Sequence, residues 1–266
     1  MSHEDTEDPL VSLPDFWDRF RNAEKIFIGL DYDGTLAPFH SERDKATPPE
    51  GVIDLLNKLK SHDGITLALI SGRPISEIFD LIGDLGIPVS GSHGYEMYTP
   101  EIGLDSTNPT PIQKIGMDIA KSAAANFNFD NNVEEKIASV AVHTRALPDD
   151  QREKISTELM KEWHGIKDVY DLEIMEFDGG IELRSTGRDK GSIILRMISM
   201  NGADLNIYIG DDTTDEDVFN VLSPEDAGFK VGQPGEETMA DGFIRDTDGV
   251  REFLSRCVNE LDTRKK

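Results

Sequence analysis

The sequence predicts an α/β protein built on a doubly wound, Rossmann-like parallel sheet, with a smaller α/β segment inserted into it. Three observations carry this. Short apolar runs of strand length alternate with stretches of helical periodicity at both ends of the chain. A stretch rich in Pro, Gly, Ser, Thr and Asn, 99–111, interrupts that alternation and marks a domain boundary. Several predicted strands also run directly into polar turns at the point where a helix begins, and open α/β sheets place their ligands there.

Taken in order, Ile26–Leu30 is the first predicted strand and ends at Asp31. Residues 49–60 read as a helix, with Val52, Ile53, Leu55, Leu56 and Leu59 forming the apolar stripe. A buried strand at 65–70 ends at Ser71, and a helix over 74–82 opens on Pro74, whose fixed φ suits a first helical position. A short strand at 87–90 follows. Past the boundary the pattern predicts a helix over 112–126, a strand over 137–145, a helix over 149–163 and strands near 169–177 and 181–183. The doubly wound pattern resumes with a helix over 192–200, closed by Asn201-Gly202, and a strand at 206–209 that runs into Gly210-Asp211-Asp212. A helix over 215–222, a strand at 228–231 and a helix over 250–261 complete it. The expected division is a discontinuous core, 1–107 with 184–266, and an insert, 108–183.

Composition narrows the possible functions. The chain has 266 residues and a mass of 29.6 kDa, enough to bury a sizeable core. Its 52 Asp and Glu against 27 Lys and Arg give a net charge of −25, a field that repels nucleic acid and anionic lipid. Neither is an expected partner. A phosphorylated metabolite would be repelled too unless a local cation cluster or a metal reverses the sign. The apolar runs are strand-sized, well short of the ~18 residues of a membrane span. Met1–Asp8 is polar and acidic, unlike a signal or transit peptide. Cys257 is the single cysteine, so there is no internal disulfide and no cysteine metal cage. The expectation is a cytoplasmic protein, taken as a monomer.

Four motifs carry chemistry. Asp31-Tyr32-Asp33-Gly34-Thr35-Leu36 places two aspartates beyond a strand end. One carboxylate can attack phosphorus while the other gives and later removes a proton, and Gly34 permits the turn that aims both inward. A calcium loop is excluded, because Leu36 stands where that loop needs Gly and a strand precedes it; a plain capped turn stays open for the motif taken alone. Ser71-Gly72-Arg73-Pro74 opens a helix, where a hydroxyl, backbone N–H groups and the helix dipole can hold a phosphate. Lys190 also stands at a helix start, able to neutralise a phosphate or a carboxylate. Gly210–Glu216 holds four acids in seven residues, a density that calls for an oxygen-ligated cation such as Mg²⁺.

In this order, each at a strand-to-helix junction, the four motifs resemble the haloacid dehalogenase superfamily of phosphohydrolases. Within it, Gly91-Ser92-His93-Gly94, Glu134-Glu135-Lys136, the run Ser139–Arg145 and Glu182-Leu183-Arg184 resemble the trehalose-6-phosphate phosphatases, with Thr144 standing where that family often has an aromatic residue. The resemblance spans 27–219, with the insert in the position of that family's cap. It implies Asp31 as nucleophile and Asp33 as acid and base. It also implies Ser71 and Lys190 on the transferring phosphoryl group, and Mg²⁺ held by Asp31, the Asp33 carbonyl and Asp211, with Asp215 orienting its waters. Arg73, His93, Glu134, Lys136, Arg145 and Glu182 are the implied sugar-phosphate contacts. Trehalose 6-phosphate is the implied substrate. Sucrose 6-phosphate or mannosyl-3-phosphoglycerate phosphatases, a phosphomutase and an inactive sugar-phosphate sensor are the rival readings.

Overall fold

The computed structural model describes residues 13, 15–40, 42–144, 147–177 and 179–264; the acidic stretch Met1–Asp8 and Arg145 lie outside them. Two compact units are present, Met1–Asp105 together with Asp189–Lys266, and Ser106–Arg188.

In the first unit the chain forms α1 (Phe16–Asn22), β1 (Ile26–Leu30), α2 (Val52–Lys60), β2 (Ile65–Ile70), α3 (Ile75–Ile82), β3 (Val89–Gly91), β4 (Glu96–Thr99) and β5 (Gly103–Ser106), the last ending on the unit boundary. The second unit contains α4 (Pro111–Asn126), β6 (Val133–Glu135), β7 (Ser139–His143), α5 (Asp149–Lys154), α6 (Met160–Lys167), β8 (Leu172–Phe177) and β9 (Gly180–Ser185). The first unit resumes with α7 (Lys190–Asn201), β10 (Leu205–Gly210), α8 (Glu216–Phe219), β11 (Ala227–Val231), β12 (Gly242–Ile244) and α9 (Thr247–Arg264).

The large sheet has the order β12-β11-β10-β1-β2-β3-β4-β5 and is parallel from β12 to β3. Strand alternation sorts its apolar residues into two layers. Ile26, Ile28 and Leu30 of β1, with Leu67, Leu69, Ile207, Ile209 and Phe229, pack against α1, α2, α3 and α9. Phe27, Ala68, Ile70 and Tyr208 face the other way, onto Ile193, Ile194 and Met197 of α7 and Val218 and Phe219 of α8. Helices therefore cover both faces, which explains why these strands read as continuous apolar runs rather than alternating ones.

Several features depart from expectation. The sheet extends past β3 through the antiparallel β4, and β5 forms its far edge. Glu96–Thr99 is only half-buried along its length and carries no clear two-residue alternation. Helix α1 was also unforeseen. Phe16, Trp17 and Phe20 bury one side of it, and Phe16 meets Phe229 edge-on with ring centroids 5.1 Å apart. The second boundary falls at Arg188, not 183, because β9 continues through Ser185 and the Thr186 hydroxyl donates to Asp171 Oδ1 at 2.6 Å. Pro74 precedes α3 as its N-cap and is not its first residue.

The second unit is a four-stranded antiparallel sheet, β6-β7-β9-β8. Val140, Val142, Ile181 and Leu183 pack on Met117, Ala120 and Ala124 of α4 and on Ile155, Leu159 and Trp163 of the helical stretch 149–167. Trp163 Nε1 donates to the Ala120 carbonyl at 3.3 Å. The helices cover one face of this sheet, and the residues of the other face are mostly polar.

Candidate active site

Strand order reverses between β1 and β10. From β1 the chain moves outward through β2 and β3, and from β10 it moves the opposite way through β11 and β12. Such a switch point opens a crevice at the carboxyl ends of the two strands. Asp31 follows β1 and Asp211 follows β10. The Asp31 N–H donates to the Ile209 carbonyl at 2.9 Å, so the two ends are laced together. Asp31, Asp211 and Asp215 each offer a carboxylate oxygen, and these atoms lie within 4.8 Å of one another.

The turn after Asp31 is tight. Leu36 and Ala37 both donate to the Tyr32 carbonyl at 2.9 Å, and Gly34 donates back to the Ala37 carbonyl at 2.8 Å. Gly34 has φ +77°, and a Cβ there would lie 2.1 Å from Asp211 Oδ2. Both conformation and space therefore require glycine at this position, because the Asp211 carboxylate lies against it.

Lys190 opens α7 behind a capping box in which Asp189 accepts from the Ser192 N–H at 2.6 Å. Its Nζ donates to Asp31 Oδ1 at 3.0 Å and to Asp215 Oδ1 at 2.7 Å, and lies 3.7 Å from Asp212 Oδ1. Asp215 is wholly buried and accepts from four donors: Lys190, the Tyr208 hydroxyl at 2.6 Å, and the N–H groups of Asp211 at 2.9 Å and Asp212 at 3.0 Å. Asp215 thus shapes the Asp211 loop. Asp212 in turn accepts from the Thr214 N–H at 2.7 Å and its hydroxyl at 2.6 Å.

This packing sets the electrostatics. Burial, then the charges of Asp215 and Asp212, push the Asp211 carboxyl up to about 7. Burial likewise raises Asp31 well above the usual carboxylate range, opposed by the Lys190 ammonium. Against the upward pull of its own burial, Asp212 is held below that range by Lys190 and Thr214. Burial favours a neutral Lys190, but Asp212, Asp215 and Asp31 keep it charged. One ammonium therefore faces three closely grouped carboxylates, with Asp212 beside them. The cluster presents only oxygen donors and an excess of negative charge, which suits a hard divalent cation.

Asp33 occupies a different environment. Arg73 Nε donates to Asp33 Oδ2 at 2.6 Å and its Nη2 to Oδ1 at 2.7 Å, while Nη1 donates to the Arg43 carbonyl at 2.9 Å and to Glu77 Oε2 at 3.3 Å. The guanidinium also lies 5.7 Å from the Tyr32 ring centroid. Arg73, expected as a sugar-phosphate contact, is buried and directed at Asp33. Ser71 is buried at the end of β2, and its Oγ accepts from the Arg73 N–H at 3.1 Å. At α3 the Ile75 N–H already donates to Glu96 Oε2 at 3.1 Å, so that donor of the expected phosphate cradle has an acidic partner. His93, at φ +53°, stacks its ring on Gly72, where a Cβ would lie 2.7 Å from Cε1.

In the second unit, the strand registers align the polar residues of the helix-free face. Glu134 pairs with Ala141 and Ala141 with Glu182 across β6, β7 and β9. Glu182 Oε1 accepts from Lys136 Nζ at 3.0 Å and from the Ser139 hydroxyl at 2.5 Å. His143 Nε2 lies 2.8 Å from Glu134 Oε2, and Arg184 Nε donates to Glu173 at 2.6 Å. The sequence-predicted residues Glu134, Lys136 and Glu182 are thus brought onto one face. His143 and Arg184 were not assigned in advance. In the first unit, Tyr208, Glu96 and Lys230 were also missed. A polar residue inside an apolar strand, Tyr208 in β10 and Lys230 in β11, is the signal that could have found two of them.

The fold is that of the haloacid-dehalogenase-like hydrolases among solved structures. The C-terminal domain of trehalose-6-phosphate phosphatase from Candida albicans superposes with a TM-score of 0.81 at 23% identity, covering 92% of this chain and 96% of that one. The trehalose-phosphatase family model matches residues 29–242, and the chain belongs to that family. A trehalose-phosphate phosphatase of Mycobacterium tuberculosis is 28% identical over 255 residues, 90% of this chain and 63% of that protein. An α,α-trehalose-phosphate synthase of Dictyostelium discoideum is 28% identical over 257 residues, 95% of this chain and 32% of that protein. The chain thus spans about a third to two thirds of these relatives. Among the described residues no helix is long and apolar enough to cross a membrane.

Proposed function

We propose that this chain hydrolyses trehalose 6-phosphate to trehalose and phosphate through an aspartyl-phosphate on Asp31. The observation that carries the reading is the grouping of Asp31, Asp211 and Asp215 around Lys190 at the sheet's switch point. Family membership supplies the substrate.

In the first step the Asp31 oxygen not bonded to Lys190 attacks phosphorus. A P–O bond forms to Asp31, the ester P–O bond breaks, and Asp33 gives its proton to the departing sugar oxygen. Water then attacks the aspartyl-phosphate, Asp33 takes the water's proton, and phosphate leaves with Asp31 restored. For the first step, one Asp33 oxygen must let go of Arg73, since both accept from it in the structure. Ser71 and Lys190 are assigned to the phosphoryl oxygens. Asp31, the Asp33 carbonyl and Asp211 are the groups that would hold Mg²⁺, which when bound offsets negative charge on the phosphoryl group. Asp215 fixes the Asp211 main chain.

The polar face of the second unit is assigned to the sugar. Glu134, Lys136 and Glu182 present several donors and acceptors to a ligand rich in hydroxyls, and Arg145 is assigned to the same sugar from the sequence resemblance.

The test is phosphate release with Mg²⁺ from trehalose 6-phosphate, sucrose 6-phosphate, glucose 6-phosphate, mannosyl-3-phosphoglycerate and p-nitrophenyl phosphate. A strong preference for the first supports the whole reading. Preference for another sugar phosphate keeps the core chemistry and replaces the substrate, and no release from any sinks the phosphatase reading.

A further inference from the structure

Lys230 is the fourth residue of the five-residue β11, a strand whose every residue is buried. An ammonium is costly there unless it is well paired. Its Nζ donates to the Asp211 carbonyl at 3.1 Å and lies 3.4 Å from Glu216 Oε1. Glu216 is held in turn by the Thr238 hydroxyl at 2.7 Å and the Met239 N–H at 2.8 Å. The peptide carrying Asp211 is therefore gripped from two sides. Asp215 accepts from its N–H, and Lys230 donates to its C=O.

We propose that Lys230 is a positioning residue that presets the Asp211 main chain so that its carboxylate meets a divalent cation without rearrangement. The inference rests on the metal reading given above. Three features support it. Lys230 touches Asp211 through the backbone, so it leaves both carboxylate oxygens free of its own charge. Glu216 anchors the ammonium to the 238–239 segment, which gives the contact a fixed origin. Lys190 serves the side chains of Asp31 and Asp215, and Lys230 serves the main chain, so the two lysines have separate tasks. Groups that orient metal ligands typically alter affinity by about 10–100-fold when removed.

The experiment is Mn²⁺ binding to the purified full chain, followed by electron paramagnetic resonance, in wild type, Lys230→Met, Lys230→Arg and Glu216→Gln. Lys230→Met keeps the apolar stem and removes the charge; it is expected to weaken Mn²⁺ about tenfold. Lys230→Arg, which can still donate to the Asp211 carbonyl, is expected to recover most of that loss. Glu216→Gln, which loosens the anchor, is expected to fall between. A folded Lys230→Met that binds Mn²⁺ as tightly as wild type overturns the proposal, and so does a loss that Lys230→Arg fails to recover. If Lys230→Met does not fold, Glu216→Gln decides: unchanged binding overturns the brace. Wild type that binds no Mn²⁺ overturns the metal reading itself, a result distinct from the others.

Discussion

Arg73 grips Asp33 with both arms of its guanidinium, at 2.6 and 2.7 Å, while its third nitrogen is tied to the Arg43 carbonyl. A lysine cannot reproduce this planar fork. Arg73 therefore controls where Asp33 points, and its removal should matter most when the leaving group needs a proton.

Arg73→Lys is expected to lower kcat/KM for trehalose 6-phosphate by about a hundredfold, the scale of a misplaced general acid. The loss for p-nitrophenyl phosphate, whose leaving group departs without protonation, should be several-fold at most. Steady-state kinetics on both substrates check this; equal losses would mean that Arg73 does not act through Asp33.

Asp31→Asn removes the attacking oxygen's charge while keeping its shape. Turnover is expected to vanish with the circular dichroism spectrum unchanged. Acid-quenched wild type should carry covalently bound phosphate during turnover and the variant none, as intact-mass spectrometry would show.

If Asp211 holds a cation as proposed, its elevated carboxyl makes that binding depend on pH. With a value of about 7, against the ordinary 3.8, Asp211 keeps its proton over most of the interval between them. A raised folded value adds stability below the unfolded value, and that stability is lost as pH rises through about 7. Added Mg²⁺ competes with that proton. Saturating Mg²⁺ should therefore raise the melting temperature more at pH 8 than at pH 5.5, as thermal melts in both buffers would show. An equal rise at both would argue against Asp211 as the proton-linked ligand.

Glu182 accepts from both Lys136 and Ser139; Glu182 and Ser139 are buried, and the Lys136 side chain is 9% exposed. Glu182→Ala leaves the Lys136 ammonium unpaired, a loss on the order of 3–5 kcal/mol when one partner of a buried pair is deleted. It should reduce hydrolysis of the disaccharide far more than hydrolysis of p-nitrophenyl phosphate, with a lower melting temperature. Glu182→Gln, which still accepts from Ser139, separates the two effects by recovering stability more than disaccharide turnover.

The core was legible because its strands are apolar on both faces and end on aspartates. Ile26–Leu30 into Asp31 and Asn206–Ile209 into Asp211 mark the switch point before any coordinates are known. The edge pair β4 and β5 was not, because half-exposed strands carry no continuous apolar run. Helix α1 was visible as Phe16, Trp17 and Phe20, but three aromatic residues with no long periodic stretch are a weak signal. The site was readable as a set of motifs, yet the partners within it were not. Local spacing cannot reveal that Arg73 faces Asp33 or that Tyr208 holds Asp215, because those pairings arise from strand order. Lys230 shows the same limit: a lysine inside an apolar strand signals a buried charge, but not which main-chain group that charge meets.

Lys190 and Asp31 touch across 159 positions of sequence, with the whole second unit spliced between them. During synthesis, a nascent chain that has completed β1 through β9 carries Asp31 without Lys190 or Asp211. On the proposed mechanism, phosphatase competence arrives late, once α7 and β10 have emerged and docked beside β1. A ribosome-stalled product ending before Lys190 should be silent, whereas two separately expressed pieces divided between the units could regain function by reassociating around the same sheet.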